Sequence, residues 1–252
     1  MDIVTTILTG VITKVITKAI GEAGRAAAAW SSLDDHMPKV NRAFNHVRNE
    51  LCDVGLLADG VYLDEIELNV SGIPSYGEAG YVYEEVGWFA PFLGYEPGVI
   101  YLPSDLPRDA YVPGGTLTDV IRHEFAHSWH WLDPRFFERP WFRATFGIDY
   151  DDTDAKPSEL WERKLKRDRA FQQSFAACRN DRERANQLRR RLHNDFVSEY
   201  ATTLAREDFA ETFMFYLRNR NCLDRFKSRS GLHTKLKAVE AAVAKARKQN
   251  GL

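Results

Sequence analysis

The chain has 252 residues, enough to bury one substantial core. Hydrophobic residues make up 44% and charged residues 28%, the make-up of an ordinary globular protein. The net charge of −2 gives no global argument for nucleic-acid or membrane binding, although 34–119 lean acidic and 163–191 and 225–248 lean basic, as solvated helix faces do. The three cysteines, Cys52, Cys178 and Cys222, are far apart and form no CxxC pair, which fits free thiols in a reducing compartment.

Residues 1–20 repeat an apolar pair every four positions, including the tandem Val11-Ile12-Thr13-Lys14 and Val15-Ile16-Thr17-Lys18. A four-residue step overshoots one helical turn by about 40°, so the stripe winds slowly round the axis. Lys14 and Lys18 interrupt it too early for a span, and no basic segment precedes it. The reading is an amphipathic helix that packs on the body or on a partner; a surface membrane anchor or a removable leader is the alternative. Without a convincing signal peptide, the expected location is the cytoplasm, and specialised secretion is compatible with the same sequence.

Helical spacing of Met37, Val40, Phe44, Val47 and Leu51 predicts a helix over about 33–56. Short strands are predicted over 61–70, 81–83 and 98–102, with an aromatic loop containing Trp88, Phe89, Phe92 and Tyr95 between the last two. Pro113-Gly114-Gly115-Thr116 then leads into a helix expected over 117–132. Thr116 or Thr118 can cap it, Asp119 can complete a capping box with Thr116, and Asp133-Pro134 stops it. Phe136, Phe137, Trp141, Phe142 and Phe146 read as core. The acidic turn 149–154 lacks the glycine and distal glutamate of a calcium loop. Further helices are expected over 157–192, broken near Asn180-Asp181, over 206–218 and over 234–248.

The central helix contains His123-Glu124-Phe125-Ala126-His127, an HExxH sequence. Histidines at i and i+4 project from one helix face, close enough to share one Zn²⁺, while the glutamate reaches a water in the open coordination position. A third ligand is required, and four residues compete for it. His130 lies on the same helix, in a nearly straight row with the first two histidines, and suits a tetrahedral ion poorly. Asp133 stands where the pattern HExxHxxGxxH places its ligand, but His130 replaces the glycine that turns the chain back. His193 has no helical neighbour suited to metal chemistry. Glu207, one helical turn before Glu211, can approach from a second helix and close a His₂Glu site, with Glu211 orienting an imidazole.

HEFAH followed far downstream by Ser198-Glu199-Tyr200-Ala201 and Glu207-Asp208-Phe209-Ala210-Glu211 resembles the gluzincin-type zinc peptidases, the group that includes the catalytic domain of anthrax lethal factor. It is also similar to a set of bacterial zinc-binding metallopeptidases that carry an EDFAE-like helix. The resemblance covers about 98–217. It implies that His123, His127 and Glu207 bind zinc, that Glu124 is the general base, and that Tyr200 donates a hydrogen bond to the oxyanion. The expected fold is α+β and predominantly helical: a zincin-like metallopeptidase with a small mixed sheet and an HExxH active-site helix. The expected division is an N-terminal helical segment 1–30, a catalytic domain 31–220 and a basic helical tail 221–252. The expected activity is hydrolysis of peptide bonds in a protein or peptide substrate by zinc-bound water, with an extended substrate lying along 98–102 as an edge strand. A zinc-bearing regulatory protein derived from a peptidase, or an effector protease with one protein target, is the alternative.

Overall fold

The structure, a computed structural model, describes residues 37–57, 67–71, 80–82, 98–103 and 115–249. The amphipathic segment 1–30 and the aromatics Trp88, Phe89, Phe92 and Tyr95 lie outside the described residues. The described part is predominantly helical with a small mixed sheet. Helix α1 spans 37–53. Strands β1 (Glu67–Ser71), β2 (Gly80–Val82) and β3 (Val99–Pro103) follow. Helices α2 (Leu117–Leu132), α3 (Pro134–Phe137) and α4 (Pro140–Phe146) come next, then α5 (Pro157–Arg167), α6 (Arg169–Ala176) and α7 (Asp181–Asp195). A 3₁₀ turn at Tyr200–Thr202 precedes α8 (Ala205–Asn219), a second 3₁₀ stretch at Arg220–Phe226, and α9 (Ser230–Gln249).

Sheet order is β1-β3-β2, with β3 parallel to β1 and antiparallel to β2. This corrects one expectation. The strand 98–102 is not an edge, because Tyr101 and Ile100 pair with β1 on one side and with β2 on the other. Strand pairing is non-local, and the buried apolar run Val99-Ile100-Tyr101-Leu102 is what a central strand requires. Both β2 and β3 lie against α2.

The start of α2 follows directly from its sequence. Thr116 is the N-cap: its hydroxyl accepts from the amide of Asp119, whose carboxylate accepts in return from the Thr116 amide. The helix ends at Asp133, ahead of Pro134. It is buried through most of its length, so it serves as the central helix of the molecule rather than a surface one. Its main partner is α8. Trp129 packs on Phe209 and Phe213 with ring centroids 6.0 and 5.6 Å apart, and Phe209 also meets Phe137, Phe142 and Phe146. The aromatic run after α2 is therefore core, as its composition predicts. Helix α9, expected as a tail, contributes Leu232, Leu236, Val239 and Val243 to the same core while its lysines and arginines lie mostly outside. The long basic stretch breaks at Asn180 as expected and also at Asp168, where the aspartate caps α6 through the amide of Phe171.

A buried ion network fixes the start of α2. Arg122 donates to both carboxylate oxygens of Glu50 on α1, at 2.8 and 2.9 Å, and to Asp119 at 2.5 Å. Arg220 at the end of α8 also reaches Glu50, and Arg218 reaches Asp119. Because Glu50 and Asp119 are buried, Arg122→Ala would leave carboxylates short of a cation and is expected to cost about 3 kcal/mol. Denaturant unfolding would measure this, and a loss below about 1 kcal/mol would show the network to be dispensable.

Candidate metal centre

Helix α2 carries His123 and His127 one turn apart, and α8 crosses it so that Glu207 faces both. Nε2 of His123 lies 3.2 Å from Nε2 of His127 and 3.2 Å from Oε2 of Glu207; the third side, from His127 Nε2 to Glu207 Oε2, is 3.5 Å. Among the described residues, these three form the group that can hold a metal ion. Asp133 is not part of it; it terminates α2. His193 lies in the last turn of α7, where its carbonyl accepts from Arg229. His130 turns to Tyr150 and Asp151 instead.

The spacing of the three atoms has a chemical meaning. Donors about 2.0–2.1 Å from a tetrahedral ion stand about 3.3–3.4 Å apart, close to all three observed separations. The remaining ring nitrogens are also occupied. His123 Nδ1 lies 2.9 Å from Oε1 of Glu211, and His127 Nδ1 lies 2.8 Å from the Tyr150 hydroxyl. With a proton on each Nδ1, both Nε2 lone pairs and a carboxylate oxygen point at one another, which is repulsive unless a cation lies between them. Two imidazoles and a carboxylate are a donor set suited to a divalent metal ion.

The surrounding charge also suits a cation. Glu124, Glu207 and Glu211 are all buried, and Oε2 of Glu211 has no hydrogen-bond partner among the described residues. Asp208, on the adjoining position of α8, is bound by Lys235 from α9. Burial raises the Asp208 carboxyl to about 6, despite that lysine. Burial also opposes the imidazolium of His123, but the hydrogen bonds it donates to Glu207 and Glu211 outweigh it and lift its pKa to about 10. Burial likewise opposes ionisation of Glu207, yet its contacts with His123 and His127 hold the carboxyl well below the usual range. These two shifts describe one interaction seen from its two ends. Without a metal ion a proton is shared at the cluster, and a binding cation must displace it.

Helix α8 places Glu207 and Asp208 in its first turn, where the exposed amides favour carboxylates. The sequence pattern brings Glu207 and Glu211 to one face, and the structure buries both against α2, with Oε1 of Glu207 also accepting from Arg206 at 3.3 Å. Tyr200 borders the cluster: its ring centroid lies 5.9 Å from that of His123, and the residue is 53% exposed. Tyr150 was not legible from the sequence. It stands in an acidic turn, and no spacing relative to HExxH announces it.

No protein-family model, curated protein or solved structure significantly matches the chain. Among the described residues, no helix is long and apolar enough to cross a membrane.

Two outcomes test the centre. Metal stoichiometry, measured by elemental analysis, is expected to fall from about one to near zero in Glu207→Ala and to persist in Asp133→Ala; the reverse result would move the third ligand. The pH dependence follows from His123. Its folded pKa is raised above 6.5, so the stability it contributes is fully present below about 6.5 and is lost as pH rises through about 10. Chelator-treated protein is therefore expected to lose Tm steadily between pH 7 and 10. Metal-loaded protein, whose His123 carries no exchangeable proton on Nε2, is expected to lose much less.

Proposed function

We propose that the chain is a zinc-dependent endopeptidase with a zincin-like fold, in which His123, His127 and Glu207 hold the ion. The observation that carries this reading is the convergence of both HExxH histidines and Glu207 within 3.5 Å, with Glu124 buried on the same helix. Zinc, when bound, supplies a Lewis acid that lowers the pKa of water toward ~7 and polarises a carbonyl.

The protein's own residues perform the remaining work. Glu124 follows His123 directly, and its charge acts on the His123 ring. From that position it accepts the proton of the attacking water and returns it to the leaving amine, the role of a general base and then a general acid. Tyr200 stands on the solvent side of His123, where an incoming substrate would lie, and its hydroxyl donates to the developing oxyanion. Glu211 anchors His123 from behind through Nδ1 and so keeps Nε2 directed at the ion. An extended peptide needs a strand edge beside α2. Since β3 is paired on both sides, β2, an outer strand among the described residues and a neighbour of α2, takes that place.

Glu124→Gln is expected to retain about one zinc per chain while cleavage of a mixed peptide library, followed by mass spectrometry, falls at least ~100-fold. Full activity in that variant would end this mechanism. Tyr200→Phe is expected to lower kcat by about 100-fold with unchanged zinc content.

A further inference from the structure

His130 and the acidic turn after α4 have no part in the chemistry just described, yet both converge on a metal-holding residue. An imidazole that offers Nε2 to an ion must carry its proton on Nδ1, and that N–H needs an acceptor fixed in place. For His123 the acceptor is the Glu211 carboxylate, 2.9 Å away. For His127 it is the phenolic oxygen of Tyr150, at 2.8 Å. We propose that Tyr150 is a positioning residue of the metal centre. Its hydroxyl sets the tautomer and rotation of His127, and the ring of His130, stacked on the phenol, keeps the hydroxyl there.

The surroundings of Tyr150 are built for a fixed ring. His130 lies face to face with it, centroids 3.7 Å apart and planes 10° from parallel. Phe137 and Phe142 meet the phenol edge-on at 5.3 and 5.5 Å. His130 is in turn tethered through Nε2 to Asp151, the residue after Tyr150, at 3.4 Å. One short segment thus supplies both the phenol and the anchor for the ring stacked on it.

The backbone delivers this segment reproducibly. Helix α4 ends at Gly147 with φ +84°, a left-handed cap that most side chains resist, and its amide donates to the carbonyl of Arg143 at 2.8 Å. The reversal turns Ile148 and Tyr150 into the core, where both are buried. Asp152 then accepts from the amides of Asp154 and Ala155 and closes the next turn. The acidic turn therefore holds a tyrosine in place.

The contrast between the two acceptors has an electrostatic reason. Glu207 and Glu211 already match the charge of a divalent cation, and Glu124 adds a third buried carboxylate. A further anion behind His127 would leave the buried centre still more negative. A neutral phenol orients the imidazole without adding charge. Phenylalanine would reproduce the ring contacts of Tyr150 but lose the bond to His127, and the test rests on that difference.

This inference rests on an ion being held by His123, His127 and Glu207. Zinc affinity of the full chain, measured by competition with a chromophoric chelator, is expected to weaken 10- to 100-fold in Tyr150→Phe. His130→Phe, which preserves a stacked ring, should stay within about threefold of wild type. The Tm of chelator-treated Tyr150→Phe should remain near that of chelator-treated wild type, so that the increment added by zinc shrinks. A purely structural tyrosine would lower both Tm values equally and leave affinity unchanged, and that result would overturn the inference while leaving the metal site intact. Wild-type protein that binds no zinc would overturn both. If Tyr150→Phe does not fold, the zinc-loaded wild type decides the matter by NMR. A protected Nδ1 proton on His127 with a nuclear Overhauser contact to the Tyr150 ring is required, and its absence would refute the assignment.

Discussion

Packing of α2 against α8 is the contact on which the rest of the molecule depends. Trp129, Phe209 and Phe213 fill the seam; at its far end Arg218 ties α8 to Asp119 of α2, and Arg122 and Arg220 fasten both helices to Glu50 of α1. Aromatic side chains of this size bury a large apolar area each, so the relative position of the two helices is set by close packing and not by the polar atoms. Those polar atoms follow from it. A helix displacement of about 1 Å at the seam would carry Glu207 out of reach of the two imidazoles.

The candidate metal centre is consequently assembled from groups whose own preferences oppose it. Three carboxylates and the His123 imidazole are buried between the helices, with His127 partly so, and burial there pushes the Asp208 carboxyl upward even with Lys235 on it. Such clustering is costly for a structure with no cation to place there. In a protein that uses one, the same arrangement keeps the donors ready, with each imidazole held from behind by its own acceptor.

What the sequence makes legible is what is decided locally. The span of α2, its Thr116–Asp119 cap and its stop before Pro134 depend on residues within four positions of one another, and the structure follows the expectation at both ends. The face shared by Glu207 and Glu211 is likewise a matter of helical period. Preferring Glu207 to Asp133 and His130 rests on the poor row of His130, the missing glycine before Asp133 and the resemblance, and the crossing of α8 over α2 then brings Glu207 to both histidines. The strands at Glu67–Ser71, Gly80–Val82 and Val99–Pro103 all fall on predicted stretches, but their order was not legible: it comes from chain segments far apart in sequence, and a short apolar run reads the same at an edge or in the middle. Tyr150 was invisible for a similar reason. Its approach to His127 depends on a left-handed residue at Gly147 and on aromatic packing, neither of which leaves a recurrent spacing.

His123 and Glu207 meet across 84 positions of chain. An ion shared between them would be a removable cross-link as well as a reagent. Closing a loop of that length restricts the unfolded chain by an amount comparable with a long-range disulfide, on the order of 4 kcal/mol. During synthesis the first two donors emerge well before the third, so the link cannot close until the basic helices α5, α6 and α7 have already been made. Those helices are then enclosed within the loop. A change in ion supply would thereby alter how readily this whole region opens to the solvent, whether or not a substrate is at hand.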